Sequence, residues 1–309
     1  MDYVLTVDKL VKQYGQCKAL DDFCMRVPKG SIYGFVGRNG AGKTTLIRVI
    51  CGLQPPTAGS FTLYGTEHSS KNIVTARRRM GAVVETPAIY SDMTAEDNLK
   101  QQYRILGLPS FDSIPELLKL VGLENTGKKK ARAFSFGMKQ RLGIALALAG
   151  SPDFLVLDEP TNGLDPQGII EMRELIRKLN RDRGITLLIS SHILDELSRL
   201  ATHYGIIDAG HMVKELSAAE LEAACRKCTR IEVTRMTVLT GVLGSMGIDY
   251  KVLSETQADI FAKVNISQLI LALANEGCEV LSIEEKDENL ESFFISLTGG
   301  GSNESAFLR

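Results

Sequence analysis

Residues Gly37-Arg38-Asn39-Gly40-Ala41-Gly42-Lys43-Thr44-Thr45 have the spacing Gly, four residues, Gly, Lys, Thr, which is that of a loop that wraps phosphate. Each residue type has a chemical reason to be there. Glycine lets the backbone curl so that its N–H groups face an anion with no Cβ in the way. The Lys43 ammonium can neutralise the outer phosphates of a nucleotide, and the Thr44 hydroxyl is a hard oxygen ligand suited to Mg²⁺. A second stretch, Phe154-Leu155-Val156-Leu157-Asp158-Glu159, is an apolar run that ends in two carboxylates. Asp158 can hold Mg²⁺ directly or through water. Glu159 is then placed to polarise an attacking water, general-base help worth roughly 10²–10⁴-fold.

The surrounding elements must hold these groups together. Ser31 to Val36 reads as a buried strand and Thr45 to Gly52 as a helix, so the glycine-rich turn lies between a strand end and a helix N-terminus. The first N–H groups of a helix lack intrahelical partners, and the macrodipole adds partial positive charge there. A polyphosphate answers both. Phe154 to Leu157 and Thr186 to Ile189 read as strands buried on both faces, and ligands of open α/β sheets sit at the C-terminal edge of such strands. Tyr3 to Tyr14 reads as a strand and Cys17 to Val27 as a strand pair. The segment from about 87 to 150 is helical throughout, with Thr94-Ala95-Glu96-Asp97 as a capping pattern and Met138 to Ala149 as an apolar helix. Ile169 to Asn180 and Ile193 to Ala201 read as helices. The expected fold is therefore α/β: a P-loop NTPase core with a mostly parallel sheet, an N-terminal antiparallel β part and an inserted helical subdomain.

After Ser217 the character changes to strand, helix, strand, strand, helix, strand, the order of a ferredoxin-like α+β unit. The expected organisation is a cassette over 1–216, an accessory domain over 217–298 that ends in a helix from Asn289 to Leu297, and a flexible tail over 299–309.

Composition narrows the function classes. A chain of 309 residues has room for one large domain or two. Its 44% hydrophobic and 24% charged residues are ordinary for a globular protein. A net charge of −1 gives no electrostatic case for a nucleic-acid partner. No segment approaches the ~20 apolar residues of a membrane span, and the start of the chain lacks the pattern of a signal peptide. A cytoplasmic location is expected. Cys225 and Cys228 form a lone Cys-x-x-Cys without a second pair or nearby histidines, so ordinary reduced thiols are expected and not a zinc site. The run Arg77-Arg78-Arg79 reads as a solvated face.

Further motifs resemble the ATP-binding cassette family, in that family's order. Tyr14 lies where the family stacks an aromatic residue on adenine. Ser135-Phe136-Gly137-Met138-Lys139-Gln140-Arg141 resembles its signature motif, Asn162-Gly163-Leu164-Asp165-Pro166 its interface-crossing loop, and Ser190-Ser191-His192 its switch histidine. The resemblance covers about Val4 to Leu216. It implies a head-to-tail dimer in which each ATP lies between the phosphate loop of one copy, Gly37 to Thr45, and Ser135 and Gly137 of the other. It also implies that Glu159 acts as base, that His192 orders the attacking water near the γ-phosphate, that Lys43 completes the catalytic set from the phosphate loop, and that Asp165 positions groups across the interface. Thr44, Asp158 and Glu85 would serve Mg²⁺. The implied activity is ATP hydrolysis that powers export of a peptide antibiotic, drug or similar amphiphile. The membrane-spanning permease would be a separate chain, which would hold this one at the inner face of the membrane.

The sequence departs from the family pattern twice. Phe136 stands where the signature usually has glycine, so its ring must point away from the phosphate. Glu85 stands where the family usually has glutamine, which adds negative charge beside the γ-phosphate. These departures resemble the bacitracin-resistance and lantibiotic-immunity exporter group. Two other readings stay open at this point: a cassette protein that acts on ribosomes or DNA, and a nucleotide-dependent regulator that rarely hydrolyses.

Overall fold

A computed structural model of the chain describes residues 2–224, 228–261, 264–286, 293, 294 and 297. The expected final helix and tail fall largely or wholly outside these residues, as does Cys225. The chain divides into two compact units, Met1–Ala218 and Ala219–Arg309.

The first unit is built on two sheets. Strands β1 (Tyr3–Tyr14), β2 (Cys17–Pro28), β4 (Ala58–Leu63) and β5 (Thr66–Glu67) form an antiparallel sheet in the order β2-β1-β4-β5. Cys17 to Pro28 is one strand and not the expected pair. Asp22 takes a left-handed φ of 49° and the pairing with β1 shifts register nearby, so the chain bends within the strand instead of turning back.

The second sheet holds β3 (Ile32–Val36), β6 (Met80–Val83), β7 (Phe154–Asp158), β8 (Thr186–Ser191), β9 (His203–Asp208) and β10 (His211–Ser217), in the order β10-β9-β3-β8-β7-β6. All its pairings are parallel except β9 with β10. Every residue of β3, β7 and β8 is buried, which is why these strands read as unbroken apolar runs.

Helix α1 (Lys43–Ile50) follows the phosphate loop. Its buried Leu46, Ile47, Val49 and Ile50 join one core with Val7, Phe23 and Phe61 of the antiparallel sheet and Phe35, Val156 and Leu188 of the parallel one. Phe23 and Phe35 meet edge to face, with ring centroids 5.8 Å apart. Burial of each such side chain contributes about 1.5–3 kcal/mol, so the helix that begins at Lys43 is fixed by packing along its length.

Helix α2 (Ile73–Arg77) leads into β6. Arg77 does not belong to a merely solvated face: its guanidinium donates to the Ile50 carbonyl at the end of α1 at 3.1 Å, and Arg79 pairs with Asp153. Between the parallel neighbours β6 and β7 the chain forms α3 (Ala95–Leu106), α4 (Ile114–Leu120) and α5 (Phe136–Leu148). Thr94 caps α3 by accepting the Asp97 N–H at 3.1 Å. Helix α6 (Pro166–Arg183) follows the Asn162–Pro166 loop. The helix after His192, α7, covers only Leu194–Ser198, shorter than expected. The Leu200 and Ala201 N–H groups share the Leu197 carbonyl, and the Thr202 N–H turns to the Ile32 carbonyl of β3 at 2.8 Å, so the chain leaves the helix there.

The second unit, described by itself, contains β11 (Cys228–Val233), α9 (Met236–Ser245), β12 (Tyr250–Val252), β13 (Gln257–Ile260), α10 (Ile266–Asn275) and β14 (Val280–Lys286); α8 (Ala218–Ala224) precedes them. Its sheet is antiparallel throughout, in the order β12-β13-β11-β14. Leu239 and Leu243 of α9 and Leu269 and Leu273 of α10 pack on Ile231, Val233, Ala258 and Ile260. Among the described residues of both units, no helix is long and apolar enough to cross a membrane.

Candidate functional site

The phosphate loop leaves β3 at its C-terminal end. Gly37 donates its N–H to the Ser191 carbonyl at 3.3 Å, which ties the loop to the end of β8. Gly42 must be glycine on two counts. Its φ is 113°, and a Cβ there would come within 2.5 Å of the Ala19 carbonyl oxygen. Gly42 is also the residue at the N-cap of α1, so no side chain caps that helix. The open amide end of α1 and the cleared loop suit a phosphate group.

Lys43 is only 5% exposed. Its ammonium donates to the Gly37 carbonyl at 2.7 Å and the Arg38 carbonyl at 3.3 Å, and it lies 3.3 Å from Glu159 Oε1. The other carboxylate oxygen of Glu159 is 2.7 Å from His192 Nδ1. One carboxylate thus joins the lysine of the loop to the histidine that follows β8. Glu159 takes a φ of 50°, a left-handed conformation that costs a non-glycine residue about 1–3 kcal/mol and gathers at functional sites. Its N–H is held by Ser190 Oγ at 2.9 Å.

Asp158 is 3% exposed and accepts from the same Ser190 hydroxyl at 2.6 Å. Its remaining lone pairs, together with the Thr44 hydroxyl in the first turn of α1, are hard oxygen donors of the kind Mg²⁺ takes. Ser190 carried no assigned role in the sequence, yet its hydroxyl fixes the carboxylate of Asp158 and the backbone of Glu159. The available signal was a hydroxyl residue at the last turn of an apolar strand, directly before His192.

The other candidate residues engage different partners. Tyr14, at the end of β1, is exposed; its hydroxyl bonds to Gln54 and the Lys12 ammonium lies 5.1 Å from its ring centre. Glu85, two residues past β6, forms an ion pair with Arg48 of α1. Ser135 caps α5 by accepting the Met138 N–H at 3.3 Å. Phe136 is 47% exposed, and its ring lies beside Gly163, where a Cβ would sit 3.4 Å from it. The ring therefore turns onto the Asn162–Pro166 loop. Gly137 faces Leu164 of the same loop, and Asp165 caps α6 by accepting the Gly168 N–H at 2.9 Å.

Comparison with known proteins identifies the family. The model of the family described as "ABC transporter" matches residues 20–162. The bacitracin transport ATP-binding protein BcrA of Bacillus licheniformis is 41% identical over 305 residues, 97% of this chain and 99% of that protein. This chain belongs to the ATP-binding subunits of the ABC transporter family. The lantibiotic transport ATP-binding protein SrtF of Streptococcus pyogenes is 43% identical over 212 residues, 69% of this chain and 90% of that protein. Among solved structures, cbiO1 of Clostridium perfringens, part of the ABC transporter complex cbiONQ, has a TM-score of 0.65 at 26% identity over 80% of this chain and 97% of that one.

As a member of this family the chain is an ATPase whose ATP hydrolysis powers transport. The P-loop NTPase core and the resemblance to the bacitracin and lantibiotic exporter group both stand. The similarity to BcrA runs through the second unit as well as the cassette, since it spans 97% of the chain. The transporters among the relatives favour a motor over a regulator that rarely hydrolyses.

Proposed function

We propose that this chain drives export of a peptide antibiotic or similar amphiphile through a separate membrane permease. The observation that carries the ATPase part of this reading is the line Lys43–Glu159–His192, set at the C-terminal ends of β3, β7 and β8. In the proposed cycle the loop from Gly37 to Thr45 holds the phosphates of ATP, and Tyr14 stacks on the adenine. Glu159 takes the proton of the attacking water, and His192, hydrogen-bonded to it, keeps the carboxylate aimed. Mg²⁺, served by Thr44, Asp158 and Glu85, would neutralise phosphate charge when bound.

A second copy completes the site. Ser135 and Gly137 at the N-terminus of α5 would meet the γ-phosphate held by the partner, using the same helix-end electrostatics as the phosphate loop. Binding energy closes the dimer and hydrolysis reopens it, since ATP contacts both copies only in the closed state. The location follows from the partner: the chain sits at the inner membrane face through its permease, whose coupling segments dock beside the helical subdomain and the loop that starts at Glu85. For the second unit we infer a ferredoxin-like accessory domain, on the strength of its strand order and its two helices on one sheet.

The test is to express the chain with and without a candidate multi-span permease. Co-purification of the two, ATPase activity that requires Mg²⁺, and lowered bacitracin or lantibiotic sensitivity that is lost in Lys43→Ala are expected. An active ATPase that confers no resistance to any peptide antibiotic would refute the substrate class and leave the motor reading intact.

A further inference from the structure

Glu85 stands where related cassettes usually carry glutamine, and the structure shows what holds it. Its carboxylate pairs with the guanidinium of Arg48. Arg48 lies in the last turn of α1, the helix that opens at Lys43. A cation is favoured there in any case, because the carbonyls of a helix C-terminus carry partial negative charge. Glu85 has a left-handed φ of 59°, so its backbone is turned out of the extended course of β6 as the loop begins.

The loop has a second attachment two residues on. Pro87 lies so close to Gly143 of α5 that a Cβ on Gly143 would come within 2.5 Å of the Pro87 Cβ. One short loop is thus joined to the phosphate-loop helix by an ion pair and to the signature helix by close packing. The packing is a steric fit and cannot be exchanged for another partner. The ion pair can, since both side chains are well exposed, 36% for Arg48 and 54% for Glu85. A pair of this kind is weak, worth about two- to five-fold in an equilibrium. A divalent cation can therefore displace it.

We propose that Arg48 is a positioning residue for Glu85: it holds the carboxylate on α1 and competes with Mg²⁺ for it, so that arrival of the metal frees the loop from α1. The proposal rests on the reading of Glu85 as a Mg²⁺ ligand.

The experiment measures binding, not turnover. Mg²⁺ is titrated into the full chain with a fluorescent ATP analogue held at a subsaturating concentration, and the Mg²⁺ level at half-maximal nucleotide binding is read. Arg48→Met and Arg48→Gln are expected to lower that level about two- to five-fold, the size of the competition removed, while Arg48→Lys keeps it near the unmodified value. Glu85→Gln is expected to raise it. In the Glu85→Gln background Arg48→Met should then have no further effect. If Glu85→Gln raises the level but neither Arg48 variant lowers it, the positioning role is overturned and the ligand reading survives. If Glu85→Gln leaves the level unchanged, the ligand reading fails and the proposal falls with it.

Discussion

Replacing Glu159 with glutamine removes one charge and one proton acceptor from a site whose other parts are held independently. Asp158 is kept by Ser190, and Lys43 by the carbonyls of Gly37 and Arg38. The glutamine can still bond to His192 and donate its backbone N–H to Ser190 Oγ, so the geometry should survive. Two effects remain. Loss of the general base costs roughly 10²–10⁴-fold, or about 3–5 kcal/mol in the barrier. Loss of the carboxylate also releases Lys43 from an ion pair at 3.3 Å in a shielded setting. The ammonium is then free to serve phosphate alone, so ATP affinity should hold or rise. The expected protein hydrolyses ATP at least about 100-fold more slowly and accumulates as an ATP-bound dimer. Single-turnover hydrolysis with excess protein reads the first quantity, and light scattering with and without Mg²⁺ and ATP reads the second. A fall in rate of less than about tenfold would show that Glu159 is not the base. A fall in rate matched by an equal fall in ATP affinity would place Glu159 in binding instead.

Other perturbations test separate parts of the structure. Gly42→Ala should abolish nucleotide binding by equilibrium dialysis, because its Cβ meets the backbone oxygen of Ala19, which no side-chain movement can relieve; binding within about threefold of the unmodified chain, less than 1 kcal/mol, would refute this. Gly163→Ala should lower stability by about 1 kcal/mol through its φ of 78°. The ring of Phe136 stands at ordinary contact distance from the new Cβ, so Phe136→Ala should not rescue it, and rescue in a urea double-mutant cycle would mean a clash is the cause. Burial pushes the Cys51 thiol up to about 12, so at pH 8 it stays protonated. Iodoacetamide should label the exposed Cys17 and Cys24 in the native chain and Cys51 only after denaturation, as peptide mapping would show.

The legible parts of this protein are those whose physics is local. The spacing from Gly37 to Thr44 specifies a phosphate loop because neighbouring backbone units alone form the cradle. The apolar runs of β7 and β8 announce buried strands because both faces are covered, and Thr94 marks a helix start because a cap needs only the next turn. From these the α/β core, the inserted helices and the candidate residues Lys43, Asp158, Glu159 and His192 could all be named. Less came through where two elements meet. The one-strand course of Cys17 to Pro28 depends on a bend set by pairing with β1. The early end of α7 depends on the tie from Thr202 to β3, and Arg77 is drawn from solvent by the end of α1.

The candidate site shows the same division. Sequence determined which groups are present and which strand or helix end each occupies. Only the tertiary structure decided their partners: Ser190 bridging Asp158 and Glu159, Arg48 holding Glu85, and the Phe136 ring lying on Gly163. Each of these contacts joins residues about 30 or more positions apart or, for Phe136 and Gly163, joins the first residue of α5 to the loop before α6. Such pairs form only after the strand order β3-β8-β7-β6 is set. That order is chosen by burial of whole faces, not by the preferences of any short stretch.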